Sequence, residues 1–425
     1  MTEIAYEADL GFAQRMDESD PLAHFRNQFY LPTQENGEPY LYFTGNSLGL
    51  QPKKAREYVI QEMDDWAKYG VEGHFHARKP WMPYHEFLTE SMARVVGAKP
   101  IEVVVMNTLT VNLHLMMVSF YRPTSDRHKI LIEKGAFPSD QYAVKSQIAF
   151  HGYDPEEALL ELPYQDGTAY TSTEEIVSII ERAGEGIALV LLGGVNYYSG
   201  QAFELDKIVE AGHKMGCVVG FDLAHGAGNL PLQLHDSGAD FAVWCTYKYL
   251  NSSPGSLGGC FVHERHAHDV ELPRFAGWWG HDKASRFLMG PDFQPIPGAE
   301  GWQLSNPPIL PMAAMRASLE MFDEAGMDAL VRKAKQLTGY LEYLLDQLAQ
   351  DRIRIITPRN PAERGCQLSI QVQDADKSLF DRLTEAGVIA DWREPDVIRV
   401  APVPLYNNFV DVYRFVEILK NAIEA

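Results

Sequence analysis

Residues 217–248 read CVVGFDLAHGAGNLPLQLHDSGADFAVWCTYK. Two apolar runs within it, CVVGFD (217–222) and DFAVWCTYK (240–248), each close on chemistry. The first ends on the carboxylate Asp222, with His225 three residues later, and the second ends on Tyr247 and Lys248. Apolar runs without polar alternation predict strands buried on both faces of a sheet. The same texture repeats toward the N-terminus. EVVVMN (102–107) precedes a helical stretch at 109–120, KILIE (129–133) precedes one at 139–150, and IALVLL (187–192) precedes one at 205–215. Strands alternating with helices predict a mainly parallel sheet flanked by helices, an α/β domain over residues 61–310. A proline-rich connector, PDFQPIPGAEGWQLSNPPILP (291–311), follows. Beyond it a helical pattern from about 312 to 350, strand candidates at 352–356 and 366–372, and a last helix at 409–425 predict a smaller α+β domain over 311–425. Residues 1–60 lack a core of their own and are expected to pack on the two domains.

The balance of 37 basic and 58 acidic residues gives 425 residues a net charge of −21. Such a polyanion does not bind nucleic acid non-specifically, because that affinity comes from Lys and Arg displacing counterions. Attraction to an anionic membrane is disfavoured for the same reason. The partner expected is a small molecule. Four cysteines, Cys217, Cys245, Cys260 and Cys366, have no CxxC spacing, which fits a reducing compartment. The start, MTEIAYEADLGFAQRMDESD, is acidic and has no apolar signal region, and the stretch Ile187 to Tyr198 is too short to span a bilayer. A cytoplasmic location is expected. Other motifs fail: GAG at 226–228 lacks a third glycine, no GxxxxGK[ST] occurs, and His85-Glu86 is not completed as HExxH. The histidines of HERHAHD (263–269) read as a solvated face, and no metal is expected.

In an open parallel sheet, ligands bind beyond the carboxyl ends of the strands. After 102–107 come Thr108, Leu109 and Thr110 at a helix start, where free amides and hydroxyls make an anion site. Ordinary capping by Thr108 or Thr110 is the alternative. After 129–133 come Phe137, Ser139 and Asp140. A lysine closing a buried strand is costly unless it is paired or perturbed, and a perturbed lysine is what imine chemistry requires. The alternatives for Lys248 are reaching solvent or pairing with Asp222. Together, an acid on one strand end, a lysine on the next, an aromatic ring and a phosphate cradle match the needs of pyridoxal 5′-phosphate.

Several longer blocks are recognisable: YFTGNSLGLQPK (42–53), NTLTVNLHLMM (107–117), AFPSDQYA (136–143), GFDLAHGAGN (220–229), WCTYKYLN (244–251), GWWGH (277–281), SNPPIL (305–310) and IRVAPVPLYN (398–407). Running in order over nearly the whole chain, they resemble the kynureninase family, pyridoxal-phosphate hydrolases of the aspartate-aminotransferase fold (fold type I). The resemblance implies a PLP-binding large domain and a smaller C-terminal domain. It casts Lys248 as the Schiff-base lysine, Asp222 as the pyridinium partner and His225 as a neighbour of the same ring. Leu109 and Thr110 resemble the phosphate-binding helix start. Phe137 resembles the stacking ring, with Pro138, Ser139 and Asp140 in the same cofactor-binding block. Tyr247 and Trp278 look like phosphate ligands, Trp278 coming from the other subunit of a homodimer. Asn306 resembles a residue that reaches across the dimer to cofactor and substrate, and Arg399 looks like the clamp on the substrate carboxylate. Ser47, His74 and Ser305 join them as implied substrate contacts. Where some members carry a serine lining the cofactor, this chain has Gly193.

The implied reaction is hydrolytic cleavage of the Cβ–Cγ bond of kynurenine or 3-hydroxykynurenine to an anthranilate and L-alanine, a step of tryptophan catabolism that leaves NAD biosynthesis open. Tyr247 is cast as an acid and base or as a phosphate ligand only, and cationic Lys248 beside it is expected to lower its pKa. His74 with the polar pair Ser305-Asn306 resembles members that favour the 3-hydroxylated substrate. The alternatives are a cysteine desulfurase or aminotransferase of the same fold, or a non-catalytic ligand-binding protein on it. A desulfurase needs a mobile thiol, and Cys366 at a strand start reads as a buried structural one.

Overall fold

The apolar runs supply five strands of a seven-stranded sheet, ordered Val103–Met106, Gly258–Val262, Phe241–Cys245, Val218–Asp222, Ile187–Gly193, Lys129–Glu133 and Leu159–Leu162. This computed structural model describes residues 4–165, 167–348 and 352–424. Gly258–Val262 runs antiparallel to both of its neighbours, and the other pairs are parallel. Every residue of Val103–Met106, Phe241–Cys245 and Gly258–Val262 is buried, since helices cover both faces and leave no solvent side to favour polar alternation. The mainly parallel sheet flanked by helices is the α/β architecture read from the sequence.

Two strands of this sheet are absent from the sequence reading. Leu159–Leu162 is an edge strand with a partly exposed, acid-interrupted sequence. Gly258–Val262 opens on two glycines, which weaken a strand signal. The structure explains one of them: a Cβ at Gly259 would lie 2.2 Å from the Trp244 ring, so the indole of the neighbouring strand occupies the side-chain space.

A second, antiparallel sheet follows the order Asp391–Arg393, Val397–Val400, Leu368–Val372, Ile353–Ile355. Its core joins Ile370 and Ile398 to Leu341 of helix Met327–Asp346 and Phe415 of helix Phe409–Glu424. The long helical pattern expected over 312–350 is two helices, Ile309–Ala325 and Met327–Asp346, parted by Gly326 at φ 73. Residues 349–351 and 425, at the ends of the expected helices, lie outside the described residues. Met312, Met315, Leu319 and Phe322 of the first helix enter the large sheet's core, so by packing this helix sides with the large sheet although it follows the expected boundary at 310.

The N-terminal segment divides its apolar residues. Leu22, Phe25 and Phe29 enter the large core, while Phe12 and Phe43 enter the C-terminal one. Leu41–Tyr42 pairs in parallel with Val388–Ile389, and buried ion pairs at Lys333–Asp20 (2.7 Å) and Arg26–Asp411 (2.6 Å) tie its polar groups to the C-terminal helices. All four cysteines are free and buried. Among the described residues no helix is long and apolar enough to cross a membrane.

Candidate active site

The strand register sets the site. Gly193 stands opposite Asp222, and Asp222 opposite Val243, so the carboxyl ends of adjacent parallel strands open on one cleft. Asp222 is the last residue of its strand, and its Oδ1 accepts the Ala224 N–H at 2.8 Å. Lys248 follows the end of Phe241–Cys245 and turns into the cleft, its Nζ 3.0 Å from His225 Nε2 and 5.9 Å from the centroid of the Phe137 ring. Helix Leu109–Phe120 starts at the cleft wall. Thr108 occupies its N-cap position without a side-chain capping bond, and Thr110 Oγ1 meets Ser139 Oγ at 2.9 Å instead. The capping alternative therefore fails, and the first-turn amides have no acceptor within the helix. Helix Pro138–Phe150 begins beside it with Pro138 in its first turn, where a missing N–H costs nothing.

Burial decides the protonation of the acids. Asp140 is raised well above the carboxylate range by burial first and by the charge of Asp222 second. Burial also raises Asp222, opposed by the Ala224 N–H, a hydrogen bond from Asp140 and the charge of Lys248. Burial and mutual repulsion thus lead the two carboxyls to share a proton. His225 is held well below its ordinary value by burial and by the cations Lys248, Arg399 and Arg393, so its ring is neutral and Nε2 can accept from Lys248. Burial also brings Arg399 down to about 10; its Nη1 donates to the Tyr197 carbonyl at 2.5 Å, and its guanidinium pairs with Asp391.

Tyr247 reverses the expectation from its chain neighbour. Burial raises the phenol, and Cys245 and Asp222 push it further up. Lys248 is adjacent in sequence, but its Nζ is directed to His225. Tyr247 holds its proton at neutral pH and can donate a hydrogen bond, but is not poised as a base.

Among the buried side-chain atoms without a partner among the described residues are Asp140 Oδ1, His225 Nδ1 and Ser256 Oγ of the cleft lining, and Arg399 Nε beside it. Buried polar atoms without partners are costly, and they mark where a bound polar group is received. The donor set fits pyridoxal phosphate: amides and hydroxyls at Leu109, Thr110 and Ser139 for a phosphate, Asp222 for a ring nitrogen, Lys248 for an aldehyde, and Phe137 at the cleft mouth for the ring.

The chain is 61% identical over 419 residues to the kynureninase of Myxococcus xanthus (strain DK1622), covering 99% of this chain and 98% of that protein. The chain belongs to the kynureninase family. It is 60% identical to the kynureninase of Koribacter versatilis (strain Ellin345), over 98% of both proteins, and the family description "Kynureninase C-terminal domain" matches residues 330–419. Among solved structures, the cysteine desulfurase CsdA of Escherichia coli superposes with a TM-score of 0.76 at 16% identity, over 95% of this chain and 98% of that one. A C-DES mutant with glycine covalently linked to its PLP cofactor gives 0.75 at 16%, over 93% and 98%. At that identity the likeness is one of fold. As a kynureninase-family member the chain is a pyridoxal-phosphate-dependent hydrolase acting on a carbon–carbon bond. Cys366 agrees: it is buried and its thiol is pushed up to about 12, unlike the reactive thiol a desulfurase needs.

Of the residues singled out in the kynureninase blocks, Leu109, Thr110, Phe137, Ser139, Asp140, Asp222, His225, Tyr247 and Lys248 line this cleft. Pro138 starts the adjoining helix without lining it. Arg399 stands behind Tyr197, whose ring its guanidinium approaches at 5.8 Å. Others stand outside the cleft of the single chain. Ser47, Ser305 and Asn306 are exposed. Trp278 packs on Trp279 and Phe287, its Nε1 3.4 Å from the Arg286 carbonyl. His74 sits in the one-turn helix Gly73–His76, half-buried, with Nδ1 2.8 Å from the Val71 carbonyl and its ring against Trp81.

Glu133 and Tyr197 also line the cleft and escaped the sequence reading. Glu133 carried a usable signal, an acid ending a buried strand as Asp222 does. Tyr197 carried none, since its place depends on how the turn after Ile187–Gly193 folds. Of the HERHAHD histidines only His268 is exposed; His263 and His266 are half-buried rather than part of a solvated face. His266 pairs with Asp240 at 3.0 Å, and His263 stacks on His235 beside buried Glu102. Glu102, His235 and His263 bring potential ligand atoms together. Those atoms already serve protein donors: Glu102 Oε1 meets His235 Nδ1 at 2.9 Å, and His263 Nδ1 accepts from the Arg265 amide at 3.1 Å.

Proposed function

We propose that this chain hydrolyses the Cβ–Cγ bond of kynurenine and 3-hydroxykynurenine, releasing an anthranilate and L-alanine. The observation that carries the reading is the strand-end cleft in which Lys248, the Asp140–Asp222 pair and Tyr247 meet, in a chain 61% identical to a kynureninase. Pyridoxal phosphate, when bound, supplies an electron sink that acidifies the substrate's Cα–H and later stabilises charge at Cβ. The protein's part follows from its side chains. Asp222, buried and backed by Asp140, holds a proton on the cofactor's ring nitrogen. Arg399 receives the substrate carboxylate through its free Nε edge. Lys248 Nζ would take the Cα proton, with neutral His225 orienting it at Nε2. Tyr247, which keeps its phenolic proton at neutral pH, donates a hydrogen bond to the γ-carbonyl oxygen as water adds. Incubation with each substrate should release the anthranilate and alanine in equal amounts; formation of alanine without an anthranilate would defeat the reading.

The same reading includes a preference for 3-hydroxykynurenine and a homodimer with shared sites. The preference is supported by the family resemblance at His74, Ser305 and Asn306, side chains able to bond a phenolic hydroxyl. A site built for a hydroxyl penalises an analogue lacking it. The ratio kcat/KM is expected to be at least about tenfold higher for the hydroxylated substrate, the worth of one such hydrogen bond. Equal values would refute it, as would undiminished discrimination in a His74→Phe, Asn306→Ala double variant. The dimer is supported by the place of Trp278 and Asn306 outside the cleft of their own chain. Mixing inactive Lys248→Ala with impaired Asn306→Ala chains is expected to raise activity above that of the parents by up to about one quarter of the wild-type value through hybrid sites, if subunits exchange at random. No recovery after verified exchange would count against sharing. A cytoplasmic site of action belongs to the same reading, supported by four free cysteines.

A further inference from the structure

One buried acid of the cleft has no part in this chemistry. Glu133 ends the strand Lys129–Glu133, is 8% exposed and lines the cleft, with its Oε2 accepting the Gly193 N–H at 2.8 Å. Gly193 ends the strand lying between those of Glu133 and Asp222. A Cβ on Gly193 would lie 2.9 Å from Glu133 Oε1 and 3.3 Å from the Val195 carbonyl oxygen. The Gly193 backbone is outside the left-handed region, so a side chain there would meet the Glu133 carboxyl rather than a forbidden conformation. The glutamate and the glycine are complementary: the carboxyl fills the room that a side chain at 193 would take.

We propose that Glu133 is a positioning residue matched to Gly193, which braces the turn at 193–197 and controls how the Asp140–Asp222 pair carries its charge toward the cofactor. The turn carries Val195 and Tyr197 of the cleft wall, and the Tyr197 carbonyl holds Arg399. One carboxyl thus connects the cofactor floor to the carboxylate clamp. The groups that face it are Asp222 from the adjacent strand end, Asp140 from its helix, Lys248 and His225 from across the cleft, and Tyr164 and Tyr197 from the flanking loops. Burial places the Glu133 carboxyl at about 7, opposed by the Gly193 N–H and assisted by the charge of Asp222. Its charge therefore changes near neutrality, where its repulsion can move the proton of the neighbouring pair.

The inference rests on the reading of this cleft as the cofactor site, and the experiment separates the two. Stripped of cofactor, the wild type, Lys248→Ala, Glu133→Gln, Glu133→Ala, Gly193→Ala and Glu133→Ala with Gly193→Ala are titrated with pyridoxal phosphate, and their thermal unfolding is followed. Gly193→Ala is expected to weaken cofactor binding at least about tenfold, the usual order for forcing an extra methyl into a packed site. The double variant should bind no more weakly than Glu133→Ala alone, because removing the carboxyl makes the room. If Gly193→Ala does not fold, folding of the double variant supports the match and its failure to fold overturns it.

Glu133→Gln keeps the shape and the acceptor for Gly193 N–H but cannot ionise. Its bound cofactor's absorption should titrate at least about half a pH unit lower than in the wild type, since a cationic proton loses an anionic neighbour. A purely structural role would leave that titration unmoved. Additive losses in the cycle, or an unmoved titration in Glu133→Gln, would overturn the proposal. Unchanged binding in all variants, Lys248→Ala included, would fault the cleft itself, whereas a change confined to Lys248→Ala would fault Glu133 alone.

Discussion

Replacing Lys248 with alanine is expected to lower kynurenine cleavage by about 10⁴-fold, the upper range for losing a positioned general base. The substitution also removes the amine that would hold the cofactor covalently. The side chain projects into the cleft with Nζ 3.0 Å from His225 Nε2, and its deletion leaves the neutral imidazole without that partner. Folding should survive, because Lys248 is only half-buried and the strand Phe241–Cys245 before it is held by ladders on both sides. Borohydride reduction of the wild-type holoenzyme followed by peptide mapping should place the pyridoxyl group on Lys248. Label on another lysine, or activity of the alanine variant within tenfold of wild type, would refute the assignment.

Asp222→Asn is expected to reduce kcat about 10²–10³-fold, the loss seen when one preorganised electrostatic partner is taken from a buried site. The amide oxygen can still accept the Ala224 N–H that the carboxylate accepts at 2.8 Å, so the local turn is preserved. What disappears is the negative charge opposite the cofactor's ring nitrogen. The apoprotein should melt no lower than the wild type, because three buried acids, Glu133, Asp140 and Asp222, repel one another in the empty cleft. Measured together, kcat and the melting temperature separate the two roles. A large fall in apoprotein stability with little change in kcat would mean that Asp222 is a structural residue.

The sheet and the two end residues of its central strands were legible in the sequence because both depend on local rules. An uninterrupted apolar run such as FAVWC is compatible only with a place where both faces are covered, and a polar residue ending such a run must emerge at the crevice. Asp222 and Lys248 followed from that rule, and Glu133 obeys it equally. Arg399 and the phosphate-binding helix start were reached through the resemblance of longer blocks.

Tertiary structure alone decided the rest. The strand Gly258–Val262 fits its place because Gly259 admits the Trp244 ring of a neighbouring strand, a fit that no window of residues 258–262 contains. The Tyr247 pKa moved against the expectation because a charge acts through distance and dielectric in space, and burial outweighed the lysine next in the chain. Gly193 looked like a missing contact in sequence. In the fold it is the space that receives Glu133, sixty residues away along the chain but on the adjacent strand. Local sequence determines which segments become strands and what stands at their ends. Strand order and side-chain packing determine which of those ends touch, because steric exclusion and Coulomb interaction act between neighbours in space.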